Sequence, residues 1–288
     1  MVIARKIRDL QNFLKKKRVH HSLGFVPTMG DLHEGHLSLV KRSKKENIFT
    51  VVSIFVNPKQ FDCKEDFEKY KRNESKDIAK LRKESVDLVF LPSVEEIYPK
   101  GFQTSVELGS LTKNLCGAFR PGHFQGVATI VLKLFNLVQP DKAYFGLKDF
   151  QQVKVVEQMG KDLNLPIHVI PCPIVRDQNG LALSSRNSRL SFKENLRATK
   201  ISFSLRRCAD LVRSRKNLSL KFVRDYFKNH LELQGKDKVE YFEAVDPETL
   251  VSLKKLTPPI LFAAAVWIGK TRLIDNVLIL KAHHIYSG

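Results

Sequence analysis

Up to about residue 172, short apolar runs alternate with stretches whose apolar residues recur at helical spacing. Leu23 to Val26, ending at Pro27, reads as a strand, as do Phe49 to Val56, Asp87 to Leu91, Lys142 to Phe145 and Ile167 to Ile170. Ile7, Leu10 and Leu14 form a helical stripe. Val127, Val131, Leu134 and Val138 form a second, and Val153, Val156, Met159 and Leu163 a third. Short strands separated by amphipathic helices predict βαβ units and a parallel sheet covered by helices on both faces. Such sheets bind ligands beyond the carboxyl ends of their strands, where the strand order reverses.

The pattern changes after Arg176. Ala198, Ile201, Leu205, Cys208 and Val212 predict one helix, and Leu220, Val223, Phe227 and Leu231 another. Val239 to Val245, Ile260 to Ile268 and Leu273 to Leu280 then read as strands, the last two joined by a turn at Gly269-Lys270. Helices followed by strands indicate an α+β module. The expected division is therefore a parallel α/β domain over 1–175 and a smaller α+β domain over 176–288, joined within the loop Pro171 to Asn187.

The length of 288 residues and 43% hydrophobic content suit two domains. The longest apolar run, Ile260 to Ile268, falls short of the roughly 20 residues of a membrane span. Asp9, Gln11 and Asn12 interrupt the apolar region that a secretory signal needs after a basic start. A soluble, cytoplasmic protein without membrane partners is expected. The four cysteines, 63, 116, 172 and 208, lack any CxxC pairing, which disfavours a disulfide framework or zinc cage and fits free thiols. Lys and Arg number 49 against 30 Asp and Glu, giving +19, a charge that attracts nucleotides or nucleic acid. The basic runs Lys15 to Arg18 and Lys41 to Lys45 lie on amphipathic segments and read as solvated faces. No zinc-finger, RNP or basic-heptad signature accompanies them, so nucleic acid is not the expected partner.

Four segments carry candidate chemistry. Pro27-Thr28-Met29-Gly30-Asp31-Leu32-His33-Glu34-Gly35-His36 follows the first predicted strand. Its glycines allow close backbone approach, a helix start there would aim free amides at phosphate, and His33 and His36 share a face from which to donate hydrogen bonds. Their i, i+3 spacing departs from the i, i+4 pair of a zinc protease. Asn57 and Gln60, after the second strand, offer neutral amides suited to hydroxyls or a carboxylate, although Asn-Pro there also reads as a plain turn. Gly146, Leu147, Lys148 and Asp149 lie where a strand gives way to a helix, with Lys148 placed to neutralise phosphate or simply to pair with a capping Asp149. Val175-Arg176 and Leu183-Ser184-Ser185-Arg186-Asn187, beside Gly180, combine hydroxyls and guanidinium that can wrap a triphosphate; a capping serine is the plainer alternative.

In this order the segments resemble the pantothenate synthetase family, ligases of the nucleotidylyltransferase superfamily. The resemblance rests on Pro27 to Leu39, Phe55 to Phe61, Arg120 to Asn136, Gln139 to Gln152 and Gly180 to Asn187, with Val245 to Leu250 and Gly269 to Asn276 also similar. It implies an α/β fold with a Rossmann-like, doubly wound parallel sheet domain followed by a smaller α+β lid domain, a magnesium requirement and a homodimer. It implies that Met29 to His36, Gly146 to Asp149, Val175 and Leu183 to Arg186 bind ATP, with His36, His33, Lys148, Ser184, Ser185 and Arg186 acting in catalysis. Gln60, Gln152, Asn57, Arg120 and His123 would bind pantoate and β-alanine. Leu147 and Lys71 depart from the family pattern. So does Lys76, beside Asp77, at an acidic pair that the family associates with Mg²⁺, so Asp77 alone remains as an expected protein contact to the metal. The implied reaction is ATP-dependent adenylation of pantoate followed by transfer to β-alanine, releasing AMP and pyrophosphate. A nucleotidyltransferase that keeps the nucleotide on its product is the rival reading.

Overall fold

The computed structural model describes residues 1–17, 22–215 and 217–280 in full, and the backbone of 281 and 284–286. Arg18, in the first basic run, lies outside the described residues. By internal contacts the chain forms two compact units. The first comprises Met1–Gly109, Arg120–Gly146 and Gln152–Cys172, and the second Ser110–Phe119, Leu147–Gln151 and Pro173–Gly288. The last of these boundaries lies near residue 175, but two short earlier segments also belong to the second unit.

In the first unit, β1 (Val2–Ala4), β2 (Leu23–Thr28), β3 (Phe49–Ile54), β4 (Leu88–Phe90), β5 (Lys142–Gly146) and β6 (His168–Cys172) form one sheet, every pair parallel. The order β1-β4-β3-β2-β5-β6 reverses direction between β2 and β5, the place where an open parallel sheet leaves a crevice at its carboxyl edge. Val26, Val52, Val89, Leu37, Val40 and Leu81 join one buried cluster, uniting the sheet with the helices Glu34–Glu46 and Glu74–Lys83. The helical stripes anticipated around residues 10, 131 and 156 become Ile7–Lys17, His123–Val138 and Phe150–Asp162.

Pro27 does not end its strand. β2 runs on to Thr28 and stays in register with β3 as far as Ile54, whereas its ladder to β5 is registered only at Gly24 and Phe25. The proline, which has no N–H to give, sits where the second ladder has already stopped, so no bond is lost on that side. Hydrogen bonds from Thr28 Oγ1 to the Ser53 carbonyl (2.8 Å) and from Phe55 N to the Thr28 carbonyl (3.0 Å) secure the continuation.

In the second unit, helices Phe192–Ser214 and Leu220–Asn229 share a core with an antiparallel sheet of β7 (Lys238–Val245), β8 (Ile260–Ile268), β9 (Thr271–Lys281) and β10 (His284–Tyr286), ordered β10-β9-β8-β7. Phe227, Phe242 and Phe262 stack in sequence, with centroids 4.6 and 5.3 Å apart. Ser191 and Glu194 form a capping box that starts the long helix. No described helix is long and apolar enough to cross a membrane, and all four cysteines are free thiols.

Candidate active site

The segment after β2 is folded by its own hydrogen bonds and by one distant carboxylate. Gly30 adopts φ +83° and Asp31 φ +48°, a left-handed pair that turns the chain sharply. This turn presents the N–H groups of Asp31 and Leu32 to Oδ2 and Oδ1 of Asp77, each at 2.8 Å. Lys80, one turn further along the same helix, donates to the Leu32 carbonyl. Asp77 is buried, with 1% of its surface exposed. Burial raises its carboxyl above the usual value, against the lowering effect of the two amides and of Lys80.

His33 is the N-cap of helix Glu34–Glu46 rather than part of its first turn. Its Nδ1 accepts from Gly35 N at 3.2 Å, while His36 Nδ1 accepts from His33 N at 3.3 Å, a capping box made of two imidazoles. The rings lie 4.1 Å apart. A ring nitrogen that accepts a backbone N–H carries no proton, so each ring bears its proton on Nε2. The expectation of free amides aimed at phosphate is narrowed here. The N–H groups of Gly30, Asp31, Leu32, His33, Gly35 and His36 are bonded within the chain, so beside the N–H groups of Met29 and Glu34 the donors this segment offers a phosphate are imidazole Nε2–H groups.

The second cluster lies beyond β3. Asn57 caps the short helix Pro58–Gln60, and both amide side chains are buried. Asn57 Nδ2 donates to Gln60 Oε1 (3.0 Å) and to the Gly126 carbonyl (3.1 Å), and Gln60 Nε2 donates to Met29 Sδ (3.1 Å). Arg120 and His123 both reach the Gln60 carbonyl, at 3.2 and 2.7 Å. A carbonyl only accepts, so His123 carries its proton on Nδ1, and its Nε2 faces Arg120 at 3.3 Å. Arg120 also pairs with Asp62 at 2.9 Å; burial pushes the Asp62 carboxyl up, but this hydrogen bond and charge more than offset it and hold the group low. Helix His123–Val138 comes close at Gly126, where a Cβ would stand 2.2 Å from the Lys59 carbonyl oxygen. Gln152, also in this unit, is half-buried.

In the second unit, Lys148 Nζ lies 3.8 Å from Asp149 within the short helix Leu147–Asp149. Asn276, which the sequence reading gave no role, donates from Nδ2 to the carbonyls of Leu147 (2.9 Å) and Lys148 (3.1 Å). Gln151 donates to the carbonyls of Leu111 and Asn114. These bonds account for the grouping of 110–119 and 147–151 with the carboxyl-terminal residues. Val175 and Leu183 are joined backbone to backbone at 2.9 Å across a loop that turns at Gly180, φ +86°. Ser184 caps the short helix Ser185–Arg189 by accepting from Arg186 N at 3.2 Å. Arg176 is committed to Asp275 by two bonds, 2.7 and 3.1 Å.

The residues do not fit the metal role that the resemblance gave Asp77. Both its oxygens accept backbone amides, Lys76 replaces the neighbouring acid, and no cluster of three or more His, Cys, Asp or Glu suited to a metal occurs among the described residues.

Comparison with known proteins matches residues 2–278 to the family model described as pantoate-beta-alanine ligase. The pantothenate synthetase of Pseudothermotoga lettingae is 47% identical, over 97% of this chain and 99% of its own length. A pantothenate synthetase structure from Thermus thermophilus superposes with a TM-score of 0.91 at 42% identity, covering 99% of this chain and 100% of that one. The Francisella tularensis pantoate-beta-alanine ligase, solved in complex with beta-gamma ATP and beta-alanine, gives 0.82 at 36% identity, over 96% and 97% of the two chains. With its Rossmann-like sheet, its imidazole-capped helix beside the reversal of strand order and these matches along almost its whole length, the chain belongs to the pantoate-beta-alanine ligase family.

Proposed function

We propose that this chain is an ATP-dependent ligase that joins pantoate to β-alanine, giving pantothenate, AMP and pyrophosphate through a pantoyl adenylate. The observation that carries the reading is the His33/His36 capping box at the carboxyl end of β2, next to the switch in strand order. Both rings hold a proton on Nε2 and so act as neutral hydrogen-bond donors. In the first step a carboxylate oxygen of pantoate bonds to the α-phosphorus, and the bond to the β-phosphate oxygen breaks with its electrons leaving on pyrophosphate. Charge grows on the α-phosphoryl oxygens and the leaving group, where donors fixed in advance lower the barrier. His33 and His36 supply such donors, and the resemblance gives the same role to Lys148, Ser184, Ser185 and Arg186. The amine of β-alanine then attacks the acyl carbon, AMP leaves, and the amine loses its proton.

Gln60 and Gln152 hold the acid, while Arg120, His123 and Asn57 support Gln60. Mg²⁺ commonly leans on substrate phosphates and water rather than on a protein cage, and here would be bound as part of the nucleotide substrate. The resemblance extends the reading to a cytoplasmic homodimer, tested by a solution mass twice the chain's 33.0 kDa. AMP formation measured with each substrate omitted in turn tests the reaction. Release of AMP that requires both pantoate and β-alanine supports it; a product that retains the nucleotide supports a nucleotidyltransferase instead.

A further inference from the structure

Tyr98 lies 38 residues beyond Gln60, outside every segment singled out by the sequence. Its hydroxyl donates to Asn57 Oδ1 at 2.8 Å, and its ring is held among Phe55, Phe102 and Lys59, whose ammonium stands 5.2 Å from the ring centre. Burial raises the phenol, so the hydroxyl stays protonated and can donate throughout the working pH range.

The orientation of the Asn57 amide is dictated by backbone groups that cannot change role. One end faces the Gly126 carbonyl at 3.1 Å, an acceptor only, and must be the NH₂. The other end faces Lys59 N–H at 3.3 Å, a donor only, and must be the oxygen. Tyr98 adds a second donor to that oxygen and closes its coordination. The remaining N–H of Asn57 points at Gln60, which must answer with Oε1, and so the Gln60 amide has Nε2 at its other end, against Met29 Sδ. Sulfur is a weak acceptor. The NH₂ of Gln60 thus remains a strong donor, suited to a carboxylate or hydroxyl oxygen and unsuited to an amine.

We infer that Tyr98 is a positioning residue that, together with the Gly126 carbonyl and Lys59 N–H, holds the Asn57 amide in place and through it the Gln60 NH₂ toward the acid substrate, and that Asn57 orients Gln60 instead of touching substrate. The inference rests on the reading that Gln60 binds pantoate, and the test separates the two. Pantoate and ATP KM values are measured for the full-length enzyme and for Tyr98→Phe, Gln60→Ala and the double variant. Loss of one neutral hydrogen bond predicts that Tyr98→Phe raises the pantoate KM about fivefold, leaves the ATP KM unchanged, and adds nothing on the Gln60→Ala background. An unchanged pantoate KM in Tyr98→Phe, an equal rise for ATP, or a rise that persists in the double variant overturns the relay. A normal pantoate KM in Gln60→Ala instead overturns the reading of Gln60 itself. Asn57→Asp provides a second measurement: an aspartate cannot donate, Gln60 must turn its NH₂ inward, and the pantoate KM should rise by more than in Tyr98→Phe. A smaller rise in a folded Asn57→Asp protein counts against the relay.

Discussion

Replacing Asp77 with asparagine exchanges a carboxylate oxygen for an NH₂ at a site with no proposed contact to the reacting atoms, yet the fold ties this carboxylate to the histidine segment. Its two oxygens hold Asp31 N and Leu32 N at 2.8 Å. Hydrogen bonds to a charged acceptor contribute about 1.5–3 kcal/mol each. Asparagine keeps one of them and sets an NH₂ against the other amide, costing about 1–3 kcal/mol for a buried donor left unmatched. A second effect opposes this. Burial raises the folded carboxyl above its unfolded value, so the folded chain binds this proton more tightly, and stability falls as pH rises through the window from about 3.9 up to the raised folded value. At neutral pH the buried charge is therefore a cost that asparagine removes. The loss of global stability should then be smaller than the cost of about 1–3 kcal/mol for the unmatched donor, while the turn at Gly30 and Asp31 loses one of the two acceptors that hold it in a left-handed conformation. A shift of roughly 1 Å at a reacting group costs on the order of a hundredfold in rate. The expected result is a drop of roughly ten- to a hundredfold in kcat/KM for ATP, a melting temperature within a few degrees of the parent, and an unchanged half-saturating Mg²⁺ concentration. Weaker binding of ATP in the presence of EDTA should accompany it. Full kcat/KM in a folded Asp77→Asn protein, or recovery of activity by added Mg²⁺, would refute the reasoning.

Other substitutions probe the remaining contacts. His36→Ala removes both a donor and the acceptor for His33 N; adenylation should fall about 10²–10³-fold with circular dichroism unchanged, and near-normal turnover would count against the assignment. Gly126→Ala forces a Cβ to 2.2 Å from the Lys59 carbonyl oxygen, so urea unfolding should show a loss of about 1–3 kcal/mol and the pantoate KM should rise as the Gln60 turn is pushed away. Asp275→Ala removes the carboxylate from Arg176, whose side chain is 7% exposed and keeps a bond to the Gly180 carbonyl at 3.2 Å, and should cost up to about 3–5 kcal/mol in the same assay; a loss below about 1 kcal/mol would mean that the pair behaves as a surface bridge.

The parallel sheet was legible because β2, β3 and β5 are apolar runs whose registers bury both faces, and their carboxyl ends coincide with the motif segments. β1 escaped notice because three residues give too short a pattern to separate strand from chance. Helix Glu74–Lys83 escaped too, since its charged sequence buries only Asp77 and Leu81. This omission concealed the role of Asp77, whose partners lie 45 and 46 residues away and leave no local trace. Asn276 and Tyr98 were hidden for the same reason: a side chain that holds a distant backbone or amide is defined by tertiary geometry, not by spacing. The histidine pair was visible as a motif, but its use as a capping box was not, because capping by imidazole nitrogen is outside the usual Ser, Thr, Asp and Asn preference.

In the proposed mechanism the acid's carboxylate attacks the α-phosphorus of ATP. Turnover of pantoate carrying heavy oxygen in its carboxylate, with mass analysis of every product, tests it most directly. One labelled oxygen should pass to AMP and none to pyrophosphate. Label found in inorganic phosphate, with ADP as the nucleotide product, would contradict the account.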